Sequence, residues 1–236
     1  MEIRILGPLR LLQDGGEPIP LAGAAQRRLV SLLALRPGAV VTADALSDHL
    51  GLSPGALRTS ISRVRRLVGS DVLVTVPPGY QLRARSVDSV RFEELVSLGL
   101  ATADPSVSRS HIESALGLWR GDPFAEFAHE PWAVAEAWRL AEAQAGAIEH
   151  LAGLLLDQAE WTAAIIRLEP LIAAHPFRDR PRALLMRALA ESGRRTEALR
   201  AFQSYRHLLV EETGLEPSAP LLALESAIAT APSGDP

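Results

Sequence analysis

Residues 53–82 constrain the fold of this chain more than any other segment. Apolar side chains recur through the first half of the segment at spacings of four, three and four residues, which places them on one face of a helix. The members of this stripe are Leu57, Ile61, Val64 and Val68. Leu67 is expected to broaden the stripe. Ser53 is a favourable N-cap, Pro54 suits the first helical position, and Gly69 is expected to end the helix.

The rest of this predicted helix carries short polar and arginine side chains. They are Arg58, Thr59, Ser62, Arg63, Arg65 and Arg66. Arginine binds phosphate through paired hydrogen bonds and recognises the O6 and N7 atoms of guanine. Hydroxyl side chains reach phosphates or base edges. An ordinary solvated surface helix would show a similar charged face, so the neighbouring elements decide between the two interpretations.

Those neighbouring elements favour a DNA-binding fold. After the helix, two apolar runs flank Pro77-Pro78-Gly79, which predicts a β-hairpin. Ahead of it, Met1–Leu12 predicts two short strands, Ile19–Leu21 a third, and Ala24–Leu35 a helix, after which Thr42 caps a second helix. Strands, three helices and a hairpin, in that order, form a winged helix, which enters the DNA major groove with its third helix. We therefore assign residues 1–86 to a small α+β winged-helix domain.

Beyond residue 90 the pattern becomes almost entirely helical. Helices are predicted near residues 90–101, 106–119, 131–157, 159–174, 179–192, 195–213 and 218–229. Sliding residues 151–174 along by 34 positions aligns Leu155 with Leu189, Ala159 with Gly193, and Ala164 with Ala198. Thirty-four residues is the tetratricopeptide (TPR) period, and such repeats stack into a concave surface that holds proteins or peptides. The sequence thus predicts an all-α, TPR-like helical-repeat domain over residues 90–230, with chance similarity between Leu/Ala-rich helices as the alternative.

Charge is divided unevenly between the two parts of this mainly α chain. The 236 residues carry a net charge of −4. Residues 1–86 hold eleven Arg against six Asp and Glu, a balance of +5, and residues 87–236 carry −9. A basic front part and an acidic rear part suit a DNA-binding domain joined to a protein-binding one.

Signatures of enzymes, metal sites and membranes are missing from the sequence. The chain has no Lys, which excludes a Walker-type lysine, and no HExxH motif. It has no Cys, and its six His show no metal-ligand spacing. We therefore expect no catalytic residues, no cofactor and no metal. The opening residues do not form a signal peptide and no apolar run reaches the length of a membrane span, so a cytoplasmic location is expected.

Short motifs along nearly the whole chain resemble those of one family. In the front part they are Gln26-Arg27-Arg28-Leu29, Val41 through Leu46, Ser62-Arg63-Val64-Arg65-Arg66-Leu67 and Pro77-Pro78-Gly79-Tyr80. In the rear part they include Arg91-Phe92-Glu93-Glu94-Leu95, Leu118-Trp119-Arg120-Gly121, His175-Pro176 and Glu212-Thr213-Gly214-Leu215-Glu216-Pro217. As a set they resemble the actinomycete antibiotic regulatory proteins (SARPs), which join an OmpR-type winged helix to a bacterial transcriptional activator domain.

The resemblance implies a transcription factor that activates secondary-metabolite (antibiotic) biosynthetic genes. Such proteins bind direct repeats near promoters and recruit RNA polymerase, and tandem sites imply two copies of the chain, as a homodimer on DNA. Carried over by position, the DNA-binding residues are Arg58, Thr59, Ser62, Arg63, Arg65 and Arg66. Arg58 and Ser62 are expected nearest the bases, and Arg65 and Arg66 nearer the phosphates. The alternative is a protein–protein adaptor whose winged helix no longer binds DNA, which the short Gly51-Leu52 link and the uncharged hairpin favour.

Overall fold

Seven short strands and three helices form the first part of the chain. The structure, a computed structural model, describes residues 1–231. The strands are β1 (Glu2–Arg4), β2 (Arg10–Leu12), β3 (Pro18–Ile19), β4 (Val40–Thr42), β5 (Leu73–Val76), β6 (Gly79–Leu82) and β7 (Ser86–Val87). The helices of this part are α1 (Ala24–Ala34), α2 (Ala43–Leu50) and α3 (Pro54–Val68).

The strands form two small sheets. The first has the order β3-β2-β1-β7, with β1 and β7 parallel and the other pairs antiparallel. The second, antiparallel throughout, has the order β4-β6-β5 and contains the predicted hairpin. The third strand, expected at Ile19–Leu21, lies instead at Pro18–Ile19. Strands β4 and β7 were not predicted.

The three helices bury the apolar stripes that the sequence predicts. The buried members are Leu29, Leu32 and Leu33 on α1, Leu46 and Leu50 on α2, and Leu57, Ile61 and Val64 on α3. The expectation for Leu67 is wrong, because its side chain is 40% exposed. At about 100° per residue, Leu67 lies roughly a quarter-turn away from the centre of the stripe.

Seven α-helices lie within the described residues of the rear part. They are α4 (Asp88–Ala101), α5 (Pro105–Leu116), α6 (Pro131–Asp157), α7 (Trp161–Ala174), α8 (Asp179–Glu191), α9 (Arg195–Thr213) and α10 (Ala219–Thr230). Every one was predicted, with each end within three residues, so the mainly helical fold class is confirmed. None of the helices in residues 1–231 is both long and apolar enough to cross a bilayer.

The described chain packs as two units. One consists of Met1–Thr102 and Glu113–Ala143, and the other of Ala103–Ile112 and the chain from Gln144 onward. The predicted division near residues 86–90 stays a prediction, because packing units do not report which segments fold independently.

The 34-residue repeat is visible in the backbone of α6 to α9. Ala159 and Gly193, which the repeat aligns, both adopt the left-handed conformation, with φ values of 57° and 81°. In each turn the following amide donates to the carbonyl five residues earlier, at 2.8 Å in both cases. Ala164 and Ala198 are also equivalent, and both are fully buried. The TPR-like pairing of helices is thereby confirmed.

The first residue of α4 is bonded to the backbone beside the first sheet. The Asp88 carboxylate accepts hydrogen bonds from the amides of Ile5 (2.7 Å) and Leu6 (3.1 Å). Nη2 of Arg120 donates to the same carboxylate at 3.1 Å. Burial raises the pKa of Asp88, which is 2% exposed, while the two amides and Arg120 oppose that rise. Residues beyond position 86 therefore provide acceptors for buried backbone amides that directly follow β1.

Candidate nucleic-acid interface

Helix α3 is held in place by local signals and by its apolar face. The hydroxyl of Ser53 accepts a hydrogen bond from the Ala56 amide at 3.3 Å, and Pro54 occupies the first turn. Gly69 ends the helix with a φ of 96°, in the region that favours glycine. All three roles agree with the sequence prediction. With the inner face buried on α1 and α2, the remaining sides of α3 face outward.

Five of the six predicted DNA-binding residues are exposed on these outer sides: Arg58, Thr59, Ser62, Arg63 and Arg66. Within residues 1–231, the guanidinium groups of Arg58, Arg63 and Arg66 make no ion pair and no hydrogen bond to protein. The Thr59 hydroxyl donates to the Gly55 carbonyl at 3.1 Å, so part of its hydrogen-bonding capacity is used within the helix. The three free guanidinium groups leave α3 with a strongly positive outer surface.

Arg65, the sixth residue, is only half exposed because it bonds to the hairpin. Its Nε donates to the Leu73 carbonyl and its Nη2 to the Thr75 hydroxyl, both at 2.7 Å. Its guanidinium carbon also lies 5.9 Å from the centroid of the half-buried Tyr80 ring. These contacts join α3 to β5 and β6. Nη1 of Arg65 has no hydrogen bond to the described residues.

An open depression of about 480 Å³ lies between α3 and the hairpin. Arg58, Ser62, Arg65 and Arg66 line it from the helix, and Tyr80 lines it from the hairpin. The lining of the depression is therefore basic, with one aromatic ring. Such a surface is suited to a polyanionic backbone, because several guanidinium groups can contact neighbouring phosphates at once.

Close contact between β4 and β6 holds the hairpin in place next to its turn. Gly79 pairs with Thr42, and a Cβ atom at Gly79 would lie 1.9 Å from the Val41 carbonyl oxygen. Only glycine fits there without displacing β4. The Pro77-Pro78 turn precedes Gly79, and both prolines are exposed at the hairpin tip.

Two further arginines, Arg27 and Arg28 on α1, bind acidic residues a hundred positions later. Arg27 donates to both carboxylate oxygens of Glu126, and these bonds hold the pKa of Glu126 below its usual range. Arg28 pairs with Glu130 at 2.8 Å. In the sequence, the two arginines stand out only as part of the motif Gln26-Arg27-Arg28-Leu29. Nothing in the spacing of the sequence links them to their partners.

Comparison with known families identifies the rear part. Residues 87–229 match the bacterial transcriptional activator domain. That match includes Asp88, Arg120, Glu126 and Glu130, which contact the N-terminal part.

Several relatives share sequence with almost the whole chain. The regulatory protein AfsR of Streptomyces coelicolor is 36% identical over 236 residues, which cover 95% of this chain and 24% of AfsR. The regulatory protein DnrI of Streptomyces peucetius is 34% identical over 256 residues, which cover 99% of this chain and 94% of DnrI. This chain therefore spans about a quarter of the length of AfsR and nearly all of DnrI.

A solved structure supports the same assignment. Mycobacterium tuberculosis EmbR, in complex with a low-affinity phosphopeptide, matches with a TM-score of 0.90 and 27% identity. The match covers 97% of this chain and 64% of that chain. Because the activator-domain model spans more than half of the chain and DnrI aligns along nearly its full length, this protein belongs to the SARP family of transcriptional regulators.

Proposed function

We propose that this regulator is a sequence-specific DNA-binding activator whose residues 1–86 form an OmpR-type winged helix, with α3 as the recognition helix. The observation that carries the proposal is the free, exposed guanidinium set of Arg58, Arg63 and Arg66. Arginines without carboxylate partners are available to displace counterions from phosphates or to contact guanine. The open depression beside them supports the same use.

Different arginines have different tasks in this proposal. Arg58 and Ser62 read base edges from the first half of α3, and Thr59, Arg63 and Arg66 contact the phosphate backbone. Arg65 supports the hairpin through Leu73 and Thr75 and offers Nη1 to a phosphate. Its substitution would therefore disturb both the DNA contact and the hairpin.

The acidic rear part is the protein-binding half of the proposed activator. Exposed apolar side chains lie on α7 (Ile166), between α7 and α8 (Phe177) and between α9 and α10 (Leu215), and such side chains are suited to protein contacts. On the family resemblance, we propose that two copies occupy direct repeats near promoters of secondary-metabolite genes in the cytoplasm. There the activator domain recruits RNA polymerase.

The test begins with selection of duplexes from a random-sequence pool by the full chain. Fluorescence anisotropy then measures affinity for the selected duplex across a salt series. Arg58→Ala is expected to weaken binding by about 1–3 kcal/mol and to relax the preference at one base position. Arg63→Ala and Arg66→Ala are each expected to weaken binding to selected and random duplexes by the same factor. Each should lower the slope of log K against log salt by about one.

Arg200→Ala is the matched control, because it removes one exposed guanidinium from the acidic part of the chain. If Arg58→Ala, Arg63→Ala and Arg66→Ala bind as tightly as Arg200→Ala, α3 is not the recognition helix. If the wild-type chain binds heparin at low salt yet enriches no sequence, the adaptor alternative replaces the activator.

A further inference from the structure

The end of α2 lies close to the start of α3, because only Gly51 and Leu52 separate it from the Ser53 cap of α3. Helix α2 ends in a left-handed Gly51, with φ 63° and ψ 36°. The amides of Gly51 and Leu52 donate to two of the last four carbonyls of α2, at 3.3 and 2.9 Å. The carbonyls of His49 and Leu50 are the other two, and they need donors from elsewhere.

Arg28 of α1 supplies these donors. Its Nη1 donates to the Leu50 carbonyl and its Nη2 to the His49 carbonyl, both at 3.3 Å. A cation at this position also interacts favourably with the negative end of the helix dipole. Nη2 is held in turn by Glu130 at 2.8 Å, and both side chains are 29% exposed. One half-buried guanidinium therefore joins the activator domain to the turn that precedes α3.

We propose that the Glu130–Arg28 pair is a positioning device through which the activator domain fixes the direction of the recognition helix. The inference rests on the proposed DNA-binding function. Arg28 contacts no DNA in this scheme and acts only through the α2–α3 turn. Loss of the Arg28 guanidinium releases two carbonyls at the turn, and loss of Glu130 leaves that guanidinium less firmly held. Helix α3 then samples directions in which Arg58 and Ser62 miss their base edges.

Arg27 provides a matched comparison within the same helix. It too forms a salt bridge with the activator domain, through Glu126, and donates to the backbone carbonyls of Leu9 and Leu21. None of its contacts involves the α2–α3 turn. Substitution of Arg27 therefore removes an equivalent charge and ion pair without releasing the turn.

Anisotropy titrations of the full chain with the selected duplex test the DNA-dependent half of the inference. Arg28→Met is expected to weaken binding about tenfold, the effect of losing roughly one charge-assisted hydrogen bond. Arg28→Lys should keep part of the affinity that Arg28→Met loses. The affinity of Glu130→Gln should lie between those of wild type and Arg28→Met. The slope of log K against log salt should equal that of wild type, because no phosphate contact is lost. Arg27→Met should bind within about twofold of wild type, since its partners lie away from the turn.

Hydrogen exchange without DNA tests the structural half and keeps it independent of the proposed function. Arg28→Met should accelerate exchange of the Gly51 and Leu52 amides, while Arg27→Met should leave them unchanged. Equal exchange in the two variants would overturn the inference, as would equal affinities. A reduced salt slope for Arg28→Met would also overturn it, because Arg28 would then be a phosphate contact itself. If the wild-type chain selects no duplex, the proposed function fails while the exchange experiment still decides the role of the pair.

Discussion

Substitution of Asp88 by Asn tests how strongly α4 is attached to the N-terminal strands. Oδ1 of Asp88 accepts the Ile5 amide, while Oδ2 accepts both the Leu6 amide and Nη2 of Arg120. An Asn side chain keeps one oxygen and replaces the other with an NH₂ group. Even when its oxygen takes the place of Oδ2, the NH₂ group faces the Ile5 amide, another donor, in a site that is 2% exposed.

The expected cost follows from these contacts. An unpaired buried amide costs about 1–3 kcal/mol, and a lost hydrogen bond to a charged group costs about 1.5–3 kcal/mol. Breaking a buried ion pair from one side generally costs about 3–5 kcal/mol, so we expect the free energy of unfolding to fall by that amount. With roughly 2–4 °C per kcal/mol for a chain of this size, the melting temperature should fall by roughly 6–20 °C.

Thermal melts followed by circular dichroism measure this shift. Asp71→Asn is the matched control, because Asp71 is exposed and makes no ion pair within the described residues. Its substitution should change the free energy of unfolding by no more than about 0.5 kcal/mol. If Asp88→Asn melts at the same temperature as Asp71→Asn, the carboxylate does not attach α4 to the strands.

Thermal and urea melts check three other sites. Gly79→Ala should destabilise the protein by about 3 kcal/mol or more, because the new Cβ would overlap the β4 backbone; a wild-type melting temperature would contradict that packing. Ala159→Gly should stabilise the protein by about 1 kcal/mol, because glycine adopts the left-handed conformation without strain, and Gly193→Ala should destabilise it by a similar amount. If both substitutions change the free energy of unfolding in the same direction, the two turns are not equivalent positions of a repeat. The Arg27 bonds lower the pKa of Glu126 in the folded state, so they stabilise the protein above the ordinary Glu pKa of about 4.3 and lose that effect as pH falls through the folded value. Glu126→Gln should therefore be less stable than wild type near neutral pH, and this difference in the free energy of unfolding should become smaller in acid. A difference that does not change with pH would argue against the Arg27–Glu126 pair.

Local patterns explain why α3 could be predicted so closely. Its cap, first-turn proline, apolar face and terminal glycine all lie within residues 53–69, and each acts on backbone or side chains a few positions away. The repeat was predictable for a related reason, because Ala159 and Gly193 occupy the same place in two similar turns. Regular spacing encodes such features directly.

Features that depend on partners distant in sequence were not predictable. Strand β7 has two residues and exists because it pairs with β1, 84 positions away in register. The bonding of Arg65 to Thr75 required the hairpin to fold back onto α3. In both cases the partner is set by the tertiary fold, and no periodicity in the sequence reports it.

The uneven charge distribution now has a second physical explanation. The sequence suggests that a basic front part binds DNA and an acidic rear part binds protein. However, some opposite charges meet within the protein, since Arg27 binds Glu126 and Arg28 binds Glu130. Part of the asymmetry is therefore complementarity between two segments of one chain. The arginines that remain available are those for which residues 1–231 supply no carboxylate partner, and they include the exposed set on α3. Charge counted along the sequence cannot separate these two groups of arginines, because only the fold determines which of them acquire acidic partners.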